Sequence, residues 1–353
     1  MSKLPDALPE AVACPDKPPL HLKGGYLCVA APMDFTEACF SAPAVRALKN
    51  ARPQGTLAIV CTEEQVPLWQ LMPQVDQVIS YPVKASSRQI AKLLSESDTV
   101  FESSIVWEAG EAAKALARAG ILQRFGYPAK GLGKFLTDPV EIVLTPAPIE
   151  HRVRHYLNFI QKLGVKAYKK ENFSPGALKP PPEKLRIAIA PASSMGESYE
   201  WSLERFAELV EVMNERYGDV DWVILGDGSS TLSQARCSEL QNQLGESVKD
   251  YSAEWGMREL LAALPHCSAL LACDSETAHL AAHVGLPAAV IFGPNEPDWK
   301  RPLGKQSRVI REHVACSPCF ESKCPLDMRC QEQVSVEMVT SELEKALAVR
   351  YGS

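Results

Sequence analysis

Polar and small residues follow three apolar runs in the second half of the chain, and each run predicts a buried strand. Hydroxyl side chains and backbone N–H groups at such turns can donate to an anion, and the N-terminus of a following helix favours a phosphate group. The candidate residues are Ser193 and Ser194 after the first run, Asp274, Ser275, Glu276, Thr277 and His279 after the second, and Asn295 after the third. Each loop also has a purely structural interpretation, because serine and aspartate cap helices and proline fixes turns.

A fourth loop, in the first half of the chain, carries two carboxylates. Asp34 and Glu37 follow the apolar run 26–31, and a carboxylate placed there can act as a general base. Loop carboxylates are more often simply solvated, so this pattern alone leaves both interpretations open. The chain has no GxGxxG motif and no P-loop pattern, which disfavours a nicotinamide-dependent dehydrogenase.

The elements that position these loops alternate along the chain. The predicted strands are 26–31, 56–61, 77–81 and 99–101 in one series, and 186–190, 221–225, 268–272 and 288–292 in a second, with helical stretches between them. Alternation at this spacing predicts parallel sheets with helices on both faces. The expected fold class is α/β with two doubly wound domains, and ligands are expected beyond the carboxyl ends of the strands.

Segments of different composition mark the expected domain boundaries. The stretch 171–184 contains consecutive prolines, which exclude helix and sheet interior, so we interpret it as the interdomain linker. The remaining expected segments are a disordered tail over 1–23, an N-terminal domain over 24–170, a C-terminal domain over 185–335 and a terminal helix within 336–353.

Composition excludes several classes of protein. Of the 353 residues, 46% are hydrophobic and 23% are charged, which is typical of a globular chain. A formal net charge of −6 disfavours a general nucleic-acid binder, because phosphate binding needs a net basic surface. No run approaches the ~18–20 apolar residues of a membrane span, and residues 1–23 lack the basic start and apolar core of a signal peptide. We therefore expect a cytoplasmic protein.

Four of the eleven cysteines are clustered near the C-terminus. Cys316, Cys319, Cys324 and Cys330 have the spacing C-x2-C-x4-C-x5-C. In a cytosolic chain such a cluster suggests a structural zinc site, although the spacing is not the usual pair of C-x2-C arms. Free thiols or disulfides are the alternative. A zinc ion held by all four thiolates would clamp the loop after the last strand and leave no open position for catalysis.

Several segments carry a family resemblance. PASSMGESYEWSLERFAELVE and CDSETAHLAAHVGLPAAVIFGPNEP resemble the lipopolysaccharide heptosyltransferases, glycosyltransferase family 9. AGILQRFGYPAKGLGKFLTD is similar to a segment of the heptosyltransferase II branch, and SAPAVRALK fits the N-terminal segment more loosely. The resemblance runs from about residue 24 to the C-terminus, and members of the family often carry a similar cysteine cluster.

The resemblance implies the GT-B fold, in which two Rossmann-like domains face each other across a cleft and the C-terminal helix crosses back to the N-terminal domain. It also implies transfer of a heptose-type sugar from an ADP-sugar to a lipid-linked acceptor of the lipopolysaccharide-core type. The implied reaction inverts the anomeric centre and needs no metal ion, and the implied protein contacts the inner membrane peripherally. Glu37 would take the acceptor proton, and adenine would lie near Met257. The implied donor residues are Ser193, Ser194, Tyr199, Asp227, Met257, Asp274, Ser275, Glu276, Thr277, His279 and Asn295, and the implied acceptor residues are Arg124, Lys130 and Lys134.

Some positions depart from the family pattern. Thr36-Glu37 stands where relatives have Gly-Asp, Tyr199 stands for a lysine, and Glu276 stands for a glycine. The ribose-binding acid that the resemblance implies falls near Leu232, and Asp227 would be its substitute. Repulsion between two like charges at short range in a partly screened cleft costs ~1–4 kcal/mol. The negative charge of Glu276 would therefore disfavour binding of a diphosphate beside it. Two alternatives follow: a GT-B protein without catalysis that serves as a nucleotide-sugar binding or partner subunit, and a nucleotide-sugar epimerase.

Overall fold

The chain forms two compact units. A computed structural model describes residues 22, 25–141, 149–175, 178–226 and 231–352. Contacts divide the chain into Met1–Ser174 and Pro175–Ser353, so the division falls within the proline-rich segment 171–184. The expected tail 1–23 lies outside the described residues, apart from residue 22.

The first unit is built around one six-stranded sheet. Its strands are β1 (Tyr26–Ala30), β2 (Thr56–Thr62), β3 (Gln77–Tyr81), β4 (Ser103–Val106), β5 (Gln123–Gly126) and β6 (Asp138–Pro139). Its helices are α1 (Phe35–Ala51), α2 (Val66–Gln70), α3 (Ser87–Glu96), α4 (Glu111–Arg118) and α5 (Val153–Lys162). The strand order is β3-β2-β1-β4-β5-β6, and all neighbouring pairs are parallel.

The interior of this sheet explains where the sequence prediction was wrong. The fourth strand lies at Ser103–Val106, not at the predicted 99–101. Its first two residues are serines that are completely buried, which an apolar criterion does not detect. Ser103 Oγ donates to Gln123 Oε1 at 2.9 Å, so the buried hydroxyl finds a partner on the neighbouring strand β5.

The second unit repeats the architecture. Its strands are β7 (Arg186–Ala190), β8 (Asp221–Ile224), β9 (Lys249–Asp250), β10 (Ala269–Cys273), β11 (Ala288–Ile291) and β12 (Ser307–Ile310). Its helices are α6 (Leu203–Tyr217), α7 (Thr231–Leu244), α8 (Met257–Ala263), α9 (Glu276–Val284), α10 (Pro297–Lys300), α11 (Arg329–Glu332) and α12 (Val336–Tyr351). The order is β12-β11-β10-β7-β8-β9, again parallel throughout. The prediction of two doubly wound α/β units is therefore confirmed.

The terminal helix α12 packs in the second unit, against β10, β11, β12 and α6. Leu343 and Leu347 of α12 share a buried core with Trp201 and Phe206. The expected crossing of this helix to the N-terminal domain stays a prediction. Within the described ranges, no helix combines the length and apolar character that a bilayer crossing needs.

Candidate functional site

The second sheet brings two of the predicted loops together. Strands β7 and β10 are neighbours in the middle of the sheet, and the chain order reverses between them. In doubly wound sheets such a switch point opens a crevice at the carboxyl ends of the strands. Ser193, after β7, donates its Oγ hydrogen to the carbonyl oxygen of Asp274, after β10, at 2.7 Å. The predicted loops therefore meet at the position where doubly wound folds bind ligands.

A third predicted loop joins them through a buried polar contact. Asn295 Nδ2 donates to Asp274 Oδ2 at 2.7 Å, and both side chains are almost completely buried. The backbone N–H of Glu296 donates to Asn295 Oδ1 at 2.9 Å, which orients the amide. We call the set Ser193, Asp274, Ser275, Thr277 and Asn295 the serine site.

Helix α9 begins at this site. Ser275 is its N-cap residue, and the Ser275 side chain accepts no capping hydrogen bond from the helix. Ser275 is 2% exposed, and its Oγ has no hydrogen-bond partner in the described part of the chain. Thr277 Oγ1 donates to the carbonyl oxygen of Gly226 at 2.7 Å, which ties the first turn of α9 to the end of β8. The site thus combines the positive end of a helix dipole with an unsatisfied hydroxyl, a combination suited to an anion.

The other predicted donor residues lie in elements or loops of the second unit, except one that lies outside the described residues. Tyr199 is buried in a short 3₁₀ turn, where burial and the Asp274 carboxylate raise its pKa to about 12. His279 is buried in α9 and Glu276 is half-buried in its first turn. Met257 is the first residue of α8. Ser194 adjoins Ser193, and Asp227 lies outside the described residues.

The first sheet gathers carboxylates at the equivalent edge. Strands β1 and β4 are neighbours at its switch point. Asp34 follows β1 and caps α1, because its Oδ1 accepts the backbone N–H of Glu37 at 2.8 Å. Glu108 follows β4, and its Oε1 accepts the backbone N–H of Met33 at 2.8 Å. We call the set Asp34, Glu37, Glu108, Arg152 and Tyr156 the carboxylate site.

Two residues that the sequence reasoning missed hold Glu37. Arg152 Nε donates to both carboxylate oxygens of Glu37 at 2.9 Å. The hydroxyl of Tyr156 donates to Glu37 Oε2 at 2.5 Å. Burial, and next to it the charge of Glu37, raise the pKa of Tyr156 well above its usual range, so the phenol remains a donor. One sequence signal for these two residues exists, namely the helical periodicity of 153–160. Such periodicity places positions four residues apart, as Arg152 and Tyr156 are, on one face of a helix.

Glu108 has a different electrostatic environment. Partial loss of solvent raises the pKa of its carboxyl, the Met33 N–H opposes this, and the negative charges of Glu37 and Asp34 add to the rise. Glu108 and Glu37 are therefore two carboxylates at one edge with different surroundings, a common arrangement in acid–base sites.

The three predicted acceptor residues lie in and after β5. The guanidinium of Arg124 is engaged by backbone, because Nε donates to the carbonyl oxygen of Phe135 at 2.6 Å and Nη1 donates to that of Ile121. The ammonium of Lys134 lies 5.1 Å from the centroid of the Phe135 ring, and Lys130 is exposed. Their acceptor role stays a prediction.

The cysteine cluster lies in a loop that contacts the serine-site loops. Ser317 Oγ donates to the carbonyl oxygen of Gly293 at 2.6 Å, and the Ser198 N–H donates to that of Ser322 at 3.2 Å. Burial raises the pKa of the Cys330 thiol, and so do the charges of the three other cysteines of the cluster. Their chemistry suits zinc. However, across the described ranges no group of three or more His, Cys, Asp or Glu side chains has a metal-binding arrangement, so the zinc site stays a prediction.

A family model, curated relatives and solved structures match this chain. The model of glycosyltransferase family 9 (heptosyltransferase) matches residues 155–329. The chain is similar to glycosyltransferase family 9 over this segment, as a divergent, heptosyltransferase-like relative. It is 27% identical over 210 residues to a lipooligosaccharide heptosyltransferase 2 of Campylobacter jejuni, an alignment that covers 56% of this chain and 64% of that protein.

Solved structures show the fold of this chain. The E. coli ADP-heptose LPS heptosyltransferase II matches with a TM-score of 0.74 and 18% identity, over 93% of this chain and 100% of that one. A family 9 glycosyl transferase from Veillonella parvula matches with a TM-score of 0.79 and 16% identity, over 94% and 100%. The predicted fold class, GT-B with two Rossmann-like domains, is thereby confirmed.

Proposed function

We propose that this chain transfers a heptose-type sugar from an ADP-sugar to a hydroxyl of a lipopolysaccharide-core acceptor. The observation that carries the proposal is the serine site, where the buried Ser275 Oγ, which has no hydrogen-bond partner among the described residues, lies at the N-terminus of α9. A diphosphate leaving group gains negative charge in the transition state, and preorganised N–H and hydroxyl donors stabilise that charge. These donors can serve where other enzymes use a cation, so we propose a metal-independent reaction.

The carboxylate site supplies the second requirement of the proposed reaction. A sugar hydroxyl becomes an adequate nucleophile when a base removes its proton as the new bond forms. Direct attack opposite the departing diphosphate inverts the anomeric centre. The donor would be bound by the second unit and the acceptor by the first, and a lipid-linked acceptor would bring this cytoplasmic protein to the inner membrane surface.

One observation favours a second candidate function, nucleotide-sugar binding without transfer. Glu276 occupies the first turn of α9, where its charge opposes a diphosphate, and the neighbouring Tyr199 supplies no cation. Binding of ADP-heptose with no product at any acceptor concentration would support this candidate.

The test of the proposed site compares two serines at opposite ends of β10. Ser275→Ala removes a hydroxyl that has no hydrogen bond in the described part of the chain, so stability is expected to be unchanged. If Ser275 Oγ donates to a phosphate, the loss of ~1.5–3 kcal/mol weakens ADP binding about 10- to 100-fold in calorimetric titration.

Ser268→Ala is the matched control. Ser268 Oγ accepts the Arg186 N–H at 3.1 Å and contacts the Tyr351 hydroxyl at 2.9 Å, so its removal lowers the melting temperature. Because Ser268 precedes β10, at the opposite edge of the sheet, ADP affinity is expected to stay at the wild-type value. Equal ADP affinity in Ser275→Ala and wild type would reject the serine site as the phosphate site.

A further inference from the structure

Phe320 combines an unusual backbone conformation with an exposed aromatic ring. It lies in residues 311–328, which connect β12 to α11 and which we call the cysteine loop. Its φ is 61°, in the left-handed region, and its side chain is 48% exposed. This conformation is uncommon for a bulky residue, because its Cβ crowds a neighbouring carbonyl oxygen. Such strain persists only where the surrounding structure holds it, and it is concentrated at ligand and active sites.

Two backbone hydrogen bonds hold Phe320 against the loop that follows β11. The N–H groups of Cys319 and Phe320 both donate to the carbonyl oxygen of Pro294, at 3.0 and 2.9 Å. Pro294 immediately precedes Asn295, whose Nδ2 donates to Asp274 Oδ2 at 2.7 Å. One hydrogen bond and one peptide bond therefore connect Phe320 to a residue of the serine site.

The cysteine loop is also attached to the loop that follows β7. The Ser198 N–H donates to the carbonyl oxygen of Ser322 at 3.2 Å, and Ser198 Oγ donates to that of Glu321. In the sheet, β11 and β7 lie on the two sides of β10, so they are ~10 Å apart. Residues 319–322 are thus attached on both sides of β10, the strand that leads into the serine site. Phe320 lies between these attachments.

Trp299 braces the ring of Phe320. The two ring centroids are 5.7 Å apart and the ring planes are perpendicular, at 90°. The ammonium of Lys300 lies 4.8 Å from the centroid of the Trp299 ring. An edge-to-face pair of this kind orients both rings, and only one of the two rings has a face against the other. The exposed half of the Phe320 side chain thus offers oriented apolar surface beside the serine site.

This apolar surface matches one part of the proposed donor. A pyranose carries hydroxyl groups around its rim and C–H groups on its faces, so an aromatic ring can cover a face while polar groups bind the rim. Ligand pockets commonly combine aromatic side chains with a few polar groups in this way. In an ADP-sugar the sugar ring is bonded directly to the diphosphate. A diphosphate in the serine site would therefore bring the sugar ring next to that site, where the cysteine loop lies.

We propose that Phe320, braced by Trp299, is the platform on which the sugar ring of the donor stacks. The proposal rests on the proposed function, because it takes the serine site as the diphosphate site. Stacking holds the sugar ring in one orientation relative to the diphosphate, which presents the anomeric carbon to the acceptor hydroxyl in a fixed geometry. A glycine or asparagine would adopt the backbone conformation of Phe320 more easily, but neither residue would supply a ring.

The test compares the affinities of ADP and ADP-heptose in calorimetric titration. Phe320→Asn removes the ring, and it is expected to weaken ADP-heptose binding about 3- to 10-fold while ADP binding stays at the wild-type value. Phe320→Tyr keeps an aromatic ring and is expected to retain both affinities. Leu326→Asn is the matched control, because Leu326 is also exposed in the cysteine loop, at 62%, and it is expected to bind both ligands like wild type.

The melting temperature separates a binding residue from one that only supports the loop. Asparagine adopts a positive φ more readily than phenylalanine, and this relief offsets the lost contact with Trp299. The melting temperature of Phe320→Asn is therefore expected to stay within about 2 °C of wild type. A fall of more than about 5 °C, with ADP and ADP-heptose weakened by the same factor, would overturn the proposal, because Phe320 would then support the loop and not the sugar.

The remaining outcomes distinguish this proposal from the proposed function. Unchanged ADP-heptose affinity in Phe320→Asn would overturn the sugar platform alone. A raised KM for a core oligosaccharide acceptor, with donor affinity unchanged, would also overturn it, since the acceptor would then occupy the ring. ADP-heptose binding that depends on Phe320, without transfer by the wild-type chain, would support the platform and overturn the proposed function. Absence of ADP binding by the wild-type chain would overturn both.

Discussion

Removal of the Arg152 guanidinium tests the ion pair that fixes the carboxylate site. Arg152→Met leaves the Glu37 carboxylate without its cation, and the two side chains are 31% and 16% exposed. Breaking a fully buried pair costs ~3–5 kcal/mol, and screening at this exposure reduces the expected cost to about 2 kcal/mol. Because α5 packs on α1, the loss is expected in the local stability of α5.

Hydrogen–deuterium exchange with mass spectrometry measures this loss where it occurs. A loss of about 2 kcal/mol accelerates exchange of the Val153–Lys162 amides about 30-fold. Peptides from Leu203–Tyr217, in the second unit, serve as the internal control and are expected to exchange at the wild-type rate. In the double variant Arg152→Met/Glu37→Gln no charge is left unpaired, so the acceleration is expected to fall to about 5-fold. The reasoning would be refuted if the amide exchange rate of α5 changed less than about 3-fold in Arg152→Met. It would also be refuted if the double variant lost as much local stability as the two single variants added together.

Three further predictions use other features of the chain. Glu108→Gln is expected to raise the melting temperature at pH 7, because the raised pKa of Glu108 means that folding disfavours its ionised form. Scanning calorimetry should show that this gain disappears below the ordinary pKa of 4.5, where Glu108 is protonated in both the folded and the unfolded state. An unchanged or lower melting temperature at pH 7 would contradict that sign. Gly196→Ala is expected to displace the cysteine loop and to weaken ADP binding, because Gly196 has φ 120° and an added Cβ would lie only 2.4 Å from the Ser322 carbonyl oxygen. Wild-type ADP affinity in this variant would show that the cysteine loop and the serine-site loops are independent. Elemental analysis of the purified chain is expected to find about one zinc per chain at the cysteine cluster, released with exposure of four thiols, and thiols that titrate without any metal would contradict the zinc site.

The placement of the serine-site residues at strand ends could be predicted because its signals are local, while their binding role stays a prediction. Ser193, Asp274, Ser275 and Asn295 each follow an apolar run that forms a strand, and parallel strands bring their carboxyl ends to one edge without further information. The contacts between these loops, such as the bond from Ser193 Oγ to the Asp274 carbonyl oxygen, then follow from the order of the strands.

The carboxylate site could be predicted only in part. Glu37 was a candidate from its loop, and its role was implied by the resemblance. Its partners Arg152 and Tyr156 lie 115 and 119 residues further along the chain, and no local pattern links such positions. Glu108 belongs to an acidic segment visible in the sequence, but its position directly after a strand was not predicted, because that strand begins with two buried serines and so lacks the expected apolar run. Long-range pairing and buried polar groups are therefore the parts of the site that required coordinates.

The most direct test of the central claim is amide NMR of the full chain during titration with ADP. If the serine site binds the diphosphate, the largest chemical-shift changes are expected at the backbone amides of Ser193–Gly196 and Asp274–Thr277, with little change at Ser268 on the opposite edge of the second sheet. Changes concentrated at the amino ends of the strands, or no specific change at saturating ADP, would contradict the account.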